Sequence, residues 1–202
     1  MKSSIKKTSK LTTKDLVNCG IFISLFFVFT MVGGILFGPN PVLTFCLPAS
    51  VALLTGPVYL LLLAKVPKRG PVTILGIIMG LFTFVTGMYW LWSVFYFVLG
   101  FVADRIAGWR SYRNHGLNTL SFILFSMNTL GGYVMLWINP ESYFGYLVEK
   151  GTPDHYVEAM GAVVQGWILP AMVVSVVVCS LCSAMLGQLM LKRQFSKAGI
   201  TA

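Results

Sequence analysis

The residues that could do chemistry in this sequence are aromatic rings and uncharged amides, not acids, bases or nucleophiles. The densest group is TGMYWLW at residues 86–92, and more aromatic residues follow later in the chain. Aromatic walls with a few orienting polar groups are typical of a small-molecule site. The pattern therefore predicts one pocket, whose candidate lining residues are Asn40, Met88, Tyr89, Trp90, Trp92, Asn128, Tyr133, Trp137, Tyr143, His155, Gln165 and Trp167.

The same aromatic residues have a second interpretation, because Trp and Tyr also collect in belts at the two faces of a membrane. A pocket is favoured because the TGMYWLW turn joins two short apolar segments. Arms of about 15 residues reach about 23 Å, which is less than the ~30 Å thickness of a bilayer core. Such a hairpin would stop below the outer surface and leave a concave floor.

Catalytic chemistry inside the membrane needs ionisable groups there, and no Asp, Glu, Lys, Arg or His lies in the middle of a long apolar run. Asp104 and Arg105 stand at the end of one run, where they can snorkel or pair. The four cysteines, Cys19, Cys46, Cys179 and Cys182, lack the spacing of a metal site. We therefore expect no enzyme activity, no metal and no cofactor.

Composition gives the class of protein that must position these residues. The chain has 202 residues, of which 56% are hydrophobic and only 10% charged, whereas a soluble domain is about 25% charged. The sequence predicts an all-α membrane protein with one transmembrane domain. Its expected parts are a basic N-terminus at 1–15, helices at about 16–37, 42–64, 71–86, 89–108, 116–138 and 162–191, and an extracellular lid-like segment at 139–161.

The basic residues predict how this six-helix bundle is oriented. Of the 15 Lys and Arg, 14 lie in four clusters at residues 2–14, 65–69, 105–113 and 192–197, while residues 139–160 hold four of the six acids. Basic loops stay in the cytoplasm, so both termini are expected inside and the uncharged run 70–103 must cross twice. A five-span arrangement would put one basic loop on the wrong face.

Two short motifs predict local features. Thr152, Pro153 and Asp154 resemble a helix start, with Thr152 as N-cap. This favours a short lid helix, although a solvated connector is the alternative. Gly20 and Ser24 lie four residues apart in the first apolar run, and small residues at this spacing let another helix approach closely.

Four stretches carry a resemblance to a known family. They are LTTKDLVNCGIF at 11–22, LLTGPVYLLLLAKVPKRGPVTILGIIMG at 53–80, VLGFVADRIA at 98–107 and KAGI at 197–200. In these the chain resembles the Trep_Strep integral membrane proteins. That group is similar to the S-components, the substrate-binding subunits of energy-coupling factor (ECF) transporters, a class of ABC importer.

The resemblance implies six helices, an outward-facing pocket and no ATPase activity in this chain. It also implies the plasma membrane as location and, as partners, a transmembrane coupling protein (T-component) and two ABC ATPase subunits. The coupling-protein interface of the family matches Gly20 and Ser24 here, where alanines are usual. We expect no nucleic-acid partner, because the net charge of +9 follows from the cytoplasmic loops and anionic lipid.

S-components capture vitamins or related micronutrients, and the resemblance does not name the substrate. An aromatic, Met-bearing cup suits a flat conjugated ring such as haem or another tetrapyrrole, and a pterin or flavin would stack equally well. Two other functions stay open: a self-sufficient small-molecule carrier or channel, and a membrane scaffold or assembly factor without a ligand.

Overall fold

The computed structural model describes residues 10–197, with side chains as far as Lys192, and this part of the chain is helical without strands. Its helices are α1 (Thr13–Phe37), α2 (Leu47–Lys65), α3 (Pro71–Val85), α4 (Trp90–Gly108), α5 (His115–Ser126), α6 (Met135–Ile138), α7 (Pro140–Glu149), α8 (Asp154–Val163) and α9 (Ile168–Lys197). The basic residues Lys2, Lys6 and Lys7 and the end of the KAGI motif lie outside the described residues.

Four of the described helical segments are long and apolar enough to cross a membrane, namely Thr13–Phe37, Leu43–Lys65, Trp90–Gly108 and Ile168–Lys192. The second of these includes a 3₁₀ turn at Leu43–Cys46. Helix α3 is apolar but shorter. The all-α membrane architecture is therefore confirmed, while length and apolarity alone show four spans in the described residues, not six.

The helix expected at 116–138 is interrupted, because residues Met127–Gly132 form a 3₁₀ segment between α5 and α6. The Asn128 amide donates to the Phe125 carbonyl at 2.5 Å, and such local bonds compete with a regular helix. Gly131 packs so tightly that an added Cβ would lie 2.8 Å from the Phe95 ring. The interruption thus lets this segment fit closely against α4.

Helix α2 lies at the centre of the bundle. Two-thirds of its apolar window (67%) is buried, against 22% for α1, which is the most exposed of the four. It contacts α1, α5 and α9. Tyr59 and Leu63 of α2 are fully buried, and the Tyr59 hydroxyl bonds Ser121 of α5 at 2.6 Å.

Pro57 breaks the hydrogen-bond ladder of α2, and α9 covers the break. A proline inside a helix has no N–H for the carbonyl four residues before it, which here belongs to Leu53. The Ser183 hydroxyl of α9 donates to that carbonyl at 2.5 Å and accepts the Gly56 amide at 3.1 Å. The two helices come this close because Gly56 has no side chain.

The loop between α2 and α3 is held by two acids, and we call this side of the bundle the basic end. Asp15 forms an ion pair with Lys68 at 2.6 Å. Of the two expected behaviours of Asp104, snorkelling or pairing, snorkelling does not occur. The residue is 3% exposed and accepts the amides of Gly70 and Val72 at 3.0 and 3.2 Å, because the first amides of α3 lack helical partners.

Candidate functional site

Helices α7 and α8 cover the other side of the bundle, which we call the capped end. Helix α7 was not predicted, although it has clear start signals. The Asn139 side chain accepts the Ser142 amide at 3.1 Å, Pro140 follows at the first position, and Glu141 lies in the first turn. Asn caps, first-turn prolines and first-turn acids each favour a helix N-terminus.

Helix α8 forms where a short lid helix was expected, but its predicted cap is wrong. Pro153, not Thr152, occupies the N-cap position, and no side chain caps the helix. The amide of Thr152 donates to the Leu147 carbonyl at 3.0 Å. The backbone of Thr152 is therefore tied to the end of α7, one residue before the N-cap of α8.

Two tyrosines attach α7 and α8 to the rest of the bundle. The Tyr146 hydroxyl of α7 donates to the Gly87 carbonyl in the α3–α4 turn at 2.6 Å. The Tyr156 hydroxyl of α8 donates to the Gly38 carbonyl after α1 at 2.7 Å. Burial raises the pKa of the Tyr146 phenol further above neutral.

Six rings, two on α7 and four beneath it, form a packed group, the aromatic cluster. Its members are Phe45, Tyr89, Tyr133, Trp137, Tyr143 and Tyr146. The Tyr89 ring centroid lies 5.2 Å from those of both Tyr143 and Tyr146, within the range of favourable aromatic pairs. The Tyr133 hydroxyl bonds Thr44 at 2.9 Å. Phe45, Tyr133, Trp137 and Tyr143 fill the space between the helices, whereas Tyr89 and Tyr146 also line a groove at the edge of the cluster.

An open groove of about 560 Å³ lies beside the aromatic cluster, between the α3–α4 turn and α7. This volume suits a small molecule, since ligand pockets span about 300–1,000 Å³. Its lining residues are Phe84, Gly87, Met88, Tyr89, Trp90, Ser142, Gly145, Tyr146, Glu149 and Lys150. The groove has largely aromatic walls, the hydroxyls of Tyr89, Ser142 and Tyr146, and one charge of each sign.

Of the twelve candidate pocket residues, the structure places Met88, Tyr89 and Trp90 in this groove. Trp90 is half exposed, at 54%. Two others, Trp92 and Asn128, pair with each other, the indole N–H donating to the amide oxygen at 3.2 Å. Neither of these two lines the groove.

A third group contains Trp137, Gln165 and Trp167. The Trp137 indole donates to the Gln165 backbone carbonyl at 3.1 Å, and the Trp167 indole donates to its side-chain oxygen at 2.8 Å. Trp167 is 63% exposed, as an interfacial residue would be. The bond to Trp167 thus occupies the side-chain oxygen of Gln165, which was expected to orient a ligand.

The remaining candidates are separate from the groove. Tyr133 and Tyr143 are buried in the aromatic cluster, and His155 is exposed on α8. The Asn40 side chain accepts the amides of Val42 and Leu43 at 2.9 and 3.0 Å and so caps the 3₁₀ turn. The structure thus divides the candidate residues into several groups and does not arrange them around one pocket.

Sequence reasoning missed Tyr146 and Lys150 as groove residues. Tyr146 lies in the ESYFGYL stretch, three residues after Tyr143, a spacing that places both on one helix face. Lys150 is the only Lys or Arg between Arg113 and Lys192. An isolated cation in an acidic segment was therefore the available signal.

Gly20 and Ser24 lie on the outward face of α1. A Cβ added to Gly20 would meet nothing within 4 Å, and the exposed Ser24 hydroxyl donates to the Gly20 carbonyl at 2.9 Å. By contrast, a Cβ on Gly33 would lie 2.9 Å from side-chain atoms of Ser50 and Val51. The small-residue pair is thus exposed on the surface of the bundle.

No three His, Cys, Asp or Glu side chains come together in the part of the chain that the structure describes.

The model of one protein family, described as hypothetical bacterial integral membrane protein (Trep_Strep), matches residues 13–197. This range runs from the first residue of α1 to the last of α9. The chain belongs to the Trep_Strep family. Its place in a membrane agrees with the apolar helices of the fold. Neither curated proteins nor solved structures gave a match to this Trep_Strep protein.

Proposed function

We propose that this Trep_Strep protein is the S-component of an ECF-type importer and captures a vitamin-like or other micronutrient small molecule from outside the cell. The observation that carries the proposal is the open aromatic groove at the capped end. It lies at the side opposite the basic loop of residues 65–69. A groove of this kind supports a binding role, and the long apolar helices carry charged residues only near their ends.

The proposal includes six crossings of the plasma membrane with both termini inside. Helix α3 and the interrupted α5–α6 segment would complete the four longer spans. The basic end presents exposed cations at Lys65, Arg69, Arg105, Arg110 and Arg113. Basic loops are retained in the cytoplasm, which would place the groove outside.

A binding subunit of this class has no catalytic activity of its own, so the energy must come from partners. We propose a T-component and two ABC ATPase subunits in this role. The open face of Gly20 and Ser24 on α1 would be the contact with the T-component, because helices that meet at small residues pack backbone to backbone.

The groove favours a planar ligand. Trp90 and Met88 are both exposed along it, at 54% and 43%, and Tyr89 closes its floor. Flat conjugated rings stack on such surfaces. Haem or another tetrapyrrole, a pterin and a flavin all have this shape.

The proposal is tested by purifying the protein from its native membrane and identifying bound small molecules by mass spectrometry and absorption. ATPase subunits should co-purify with it, and substrate uptake into proteoliposomes should require them. Uptake by this chain alone would make it a self-sufficient carrier or channel. A preparation with neither ligand nor ATPase would indicate a scaffold.

A further inference from the structure

We propose that the groove at the capped end recognises an anionic group on its planar ligand through Lys150, an inference that rests on the proposed binding function. The ligand class is a flat conjugated ring carrying a carboxylate. Lys150 would hold the carboxylate while the ring lies on Trp90 and Met88.

The position of Lys150 is the first observation. It follows the last residue of α7 and is the only Lys or Arg between Arg113 and Lys192. Its ammonium lies 6.0 Å from the centroid of the Tyr146 ring. It also lies over the α3–α4 turn, since a Cβ added to Gly87 would be 2.5 Å from Nζ. The charge is therefore held at the groove wall.

The second observation is that this cation has no acidic partner in the described part of the chain, where the one ion pair joins Lys68 and Asp15. Glu149 lines the same groove, yet its carboxylate is not within ion-pair distance of the Lys150 ammonium. An ammonium that lies beside aromatic rings and has no carboxylate partner in the protein is suited to bind a ligand anion. Hydrogen bonds between charged groups are stronger than those between neutral groups.

The third observation is the character of the walls. Met88, Tyr89, Trp90 and Tyr146 are apolar or aromatic, and Ser142 adds one hydroxyl. A small inorganic anion would leave these walls uncovered, whereas a ring with a carboxylate would cover them. The combination favours an amphipathic solute over a free ion.

The experiment uses two matched probes, naphthalene-2-carboxylate and naphthalene-2-carboxamide, which share the ring and differ in charge. Binding to the full chain in phosphatidylcholine vesicles is measured by equilibrium dialysis against empty vesicles. We expect the carboxylate to bind about tenfold more tightly, as a hydrogen bond to a charged group would provide. Added salt should weaken binding of the carboxylate probe and leave binding of the carboxamide probe unchanged.

Variants assign the effect to one side chain. Lys150→Gln should abolish the preference for the carboxylate, and Lys150→Arg should retain it. Glu149 is the neighbour of Lys150 in the same groove. Glu149→Gln should not weaken binding of the carboxylate probe, because it removes a repulsive charge. Trp90→Ala should weaken binding of both probes to the same extent, since it removes the surface on which both rings stack.

The inference would be overturned by equal binding of the two probes, by a preference that persists in Lys150→Gln, or by no binding of either probe. Competition by phosphatidylglycerol in the vesicles would also overturn it by assigning Lys150 to lipid headgroups. None of these outcomes bears on co-purification of the ATPase subunits, so the proposed function is judged separately.

Discussion

Asp104 accepts the backbone amide of Val72 at 3.2 Å, although the two residues lie on different helices. The same carboxylate accepts the Gly70 amide at 3.0 Å and the Tyr112 hydroxyl at 3.3 Å. An acid on α4 thus provides the N-terminal cap of α3, a role usually taken by a residue next to the helix in sequence. It joins α3, α4 and the following turn at the basic end.

Removing this cap should destabilise the bundle. We expect Asp104→Ala to lower the free energy of unfolding by about 1–3 kcal/mol, because it leaves two buried amides without an acceptor. Thermal unfolding in detergent measures the change. Lys68→Ala, which removes the more exposed ion pair to Asp15, should cost less than about 1 kcal/mol. Equal decreases in the free energy of unfolding for the two variants would contradict the role of Asp104 as the cap of α3.

The Pro57 break predicts a coupling between α2 and α9. Ser183→Ala should cost about 1–3 kcal/mol in the native chain, since the Leu53 carbonyl loses its donor. In a Pro57→Ala background the restored amide can bond Leu53 within α2, so the same change should cost less. A double-mutant cycle on unfolding free energies measures the difference. Additive effects would contradict the assignment.

The proposed orientation predicts which loops a reagent can reach. Ser111→Cys and Ser142→Cys are introduced in a background where the native cysteines, including the exposed Cys46 and Cys182, are replaced. An impermeant thiol reagent added to intact cells should label position 142 but not 111. After the cells are opened, both should react. Labelling of 111 from outside would exclude the proposed six-span orientation.

The face of α1 predicts separate effects on folding and assembly. Gly20→Leu should leave the isolated chain folded, because a Cβ at this position meets nothing within 4 Å, and should prevent co-purification of the T-component. Gly34→Leu is the matched control, since a Cβ there also meets nothing within 4 Å. Gly33→Leu should unfold the bundle. Normal assembly of Gly20→Leu would rule out the proposed contact.

The groove predicts that two exposed tryptophans differ in importance. Trp90→Ala should weaken binding of the co-purified ligand by about 1–3 kcal/mol, by analogy with stacking platforms, or roughly ten- to a hundredfold. Trp167→Ala should leave the affinity unchanged, because Trp167 does not line the groove. Titration of both variants by tryptophan quenching compares them. Unchanged affinity in Trp90→Ala would make Trp90 an interface anchor.

Local features of this fold could be predicted from the sequence because their signals are local. The first apolar run, expected at 16–37, is α1 at Thr13–Phe37, and the α3–α4 turn lies at residues 86–89, near the expected Thr86 and Gly87. The start of α7 was equally readable from Asn139, Pro140 and Glu141.

Features that depend on distant contacts could not be read in this way. Asp104 meets Val72 across 32 residues of chain, and nothing in the local sequence distinguishes it from an acid at a helix end. The interruption of the fifth segment depends on how Gly131 packs against Phe95. The candidate residues around the pocket were identified by type, and residue type does not say which rings would pack against one another.

The bond between Ser183 and Leu53 also has a consequence for how the protein is made. The two residues are 130 positions apart, and a ribosome adding ~5–20 residues per second needs roughly 7 to 26 s to make that stretch. During this time α2 has left the ribosome with its carbonyl at the Pro57 break uncovered, and its principal partner does not yet exist. Ser183 can therefore cover that carbonyl, and complete the central helix of the bundle, only after the last helix has been made.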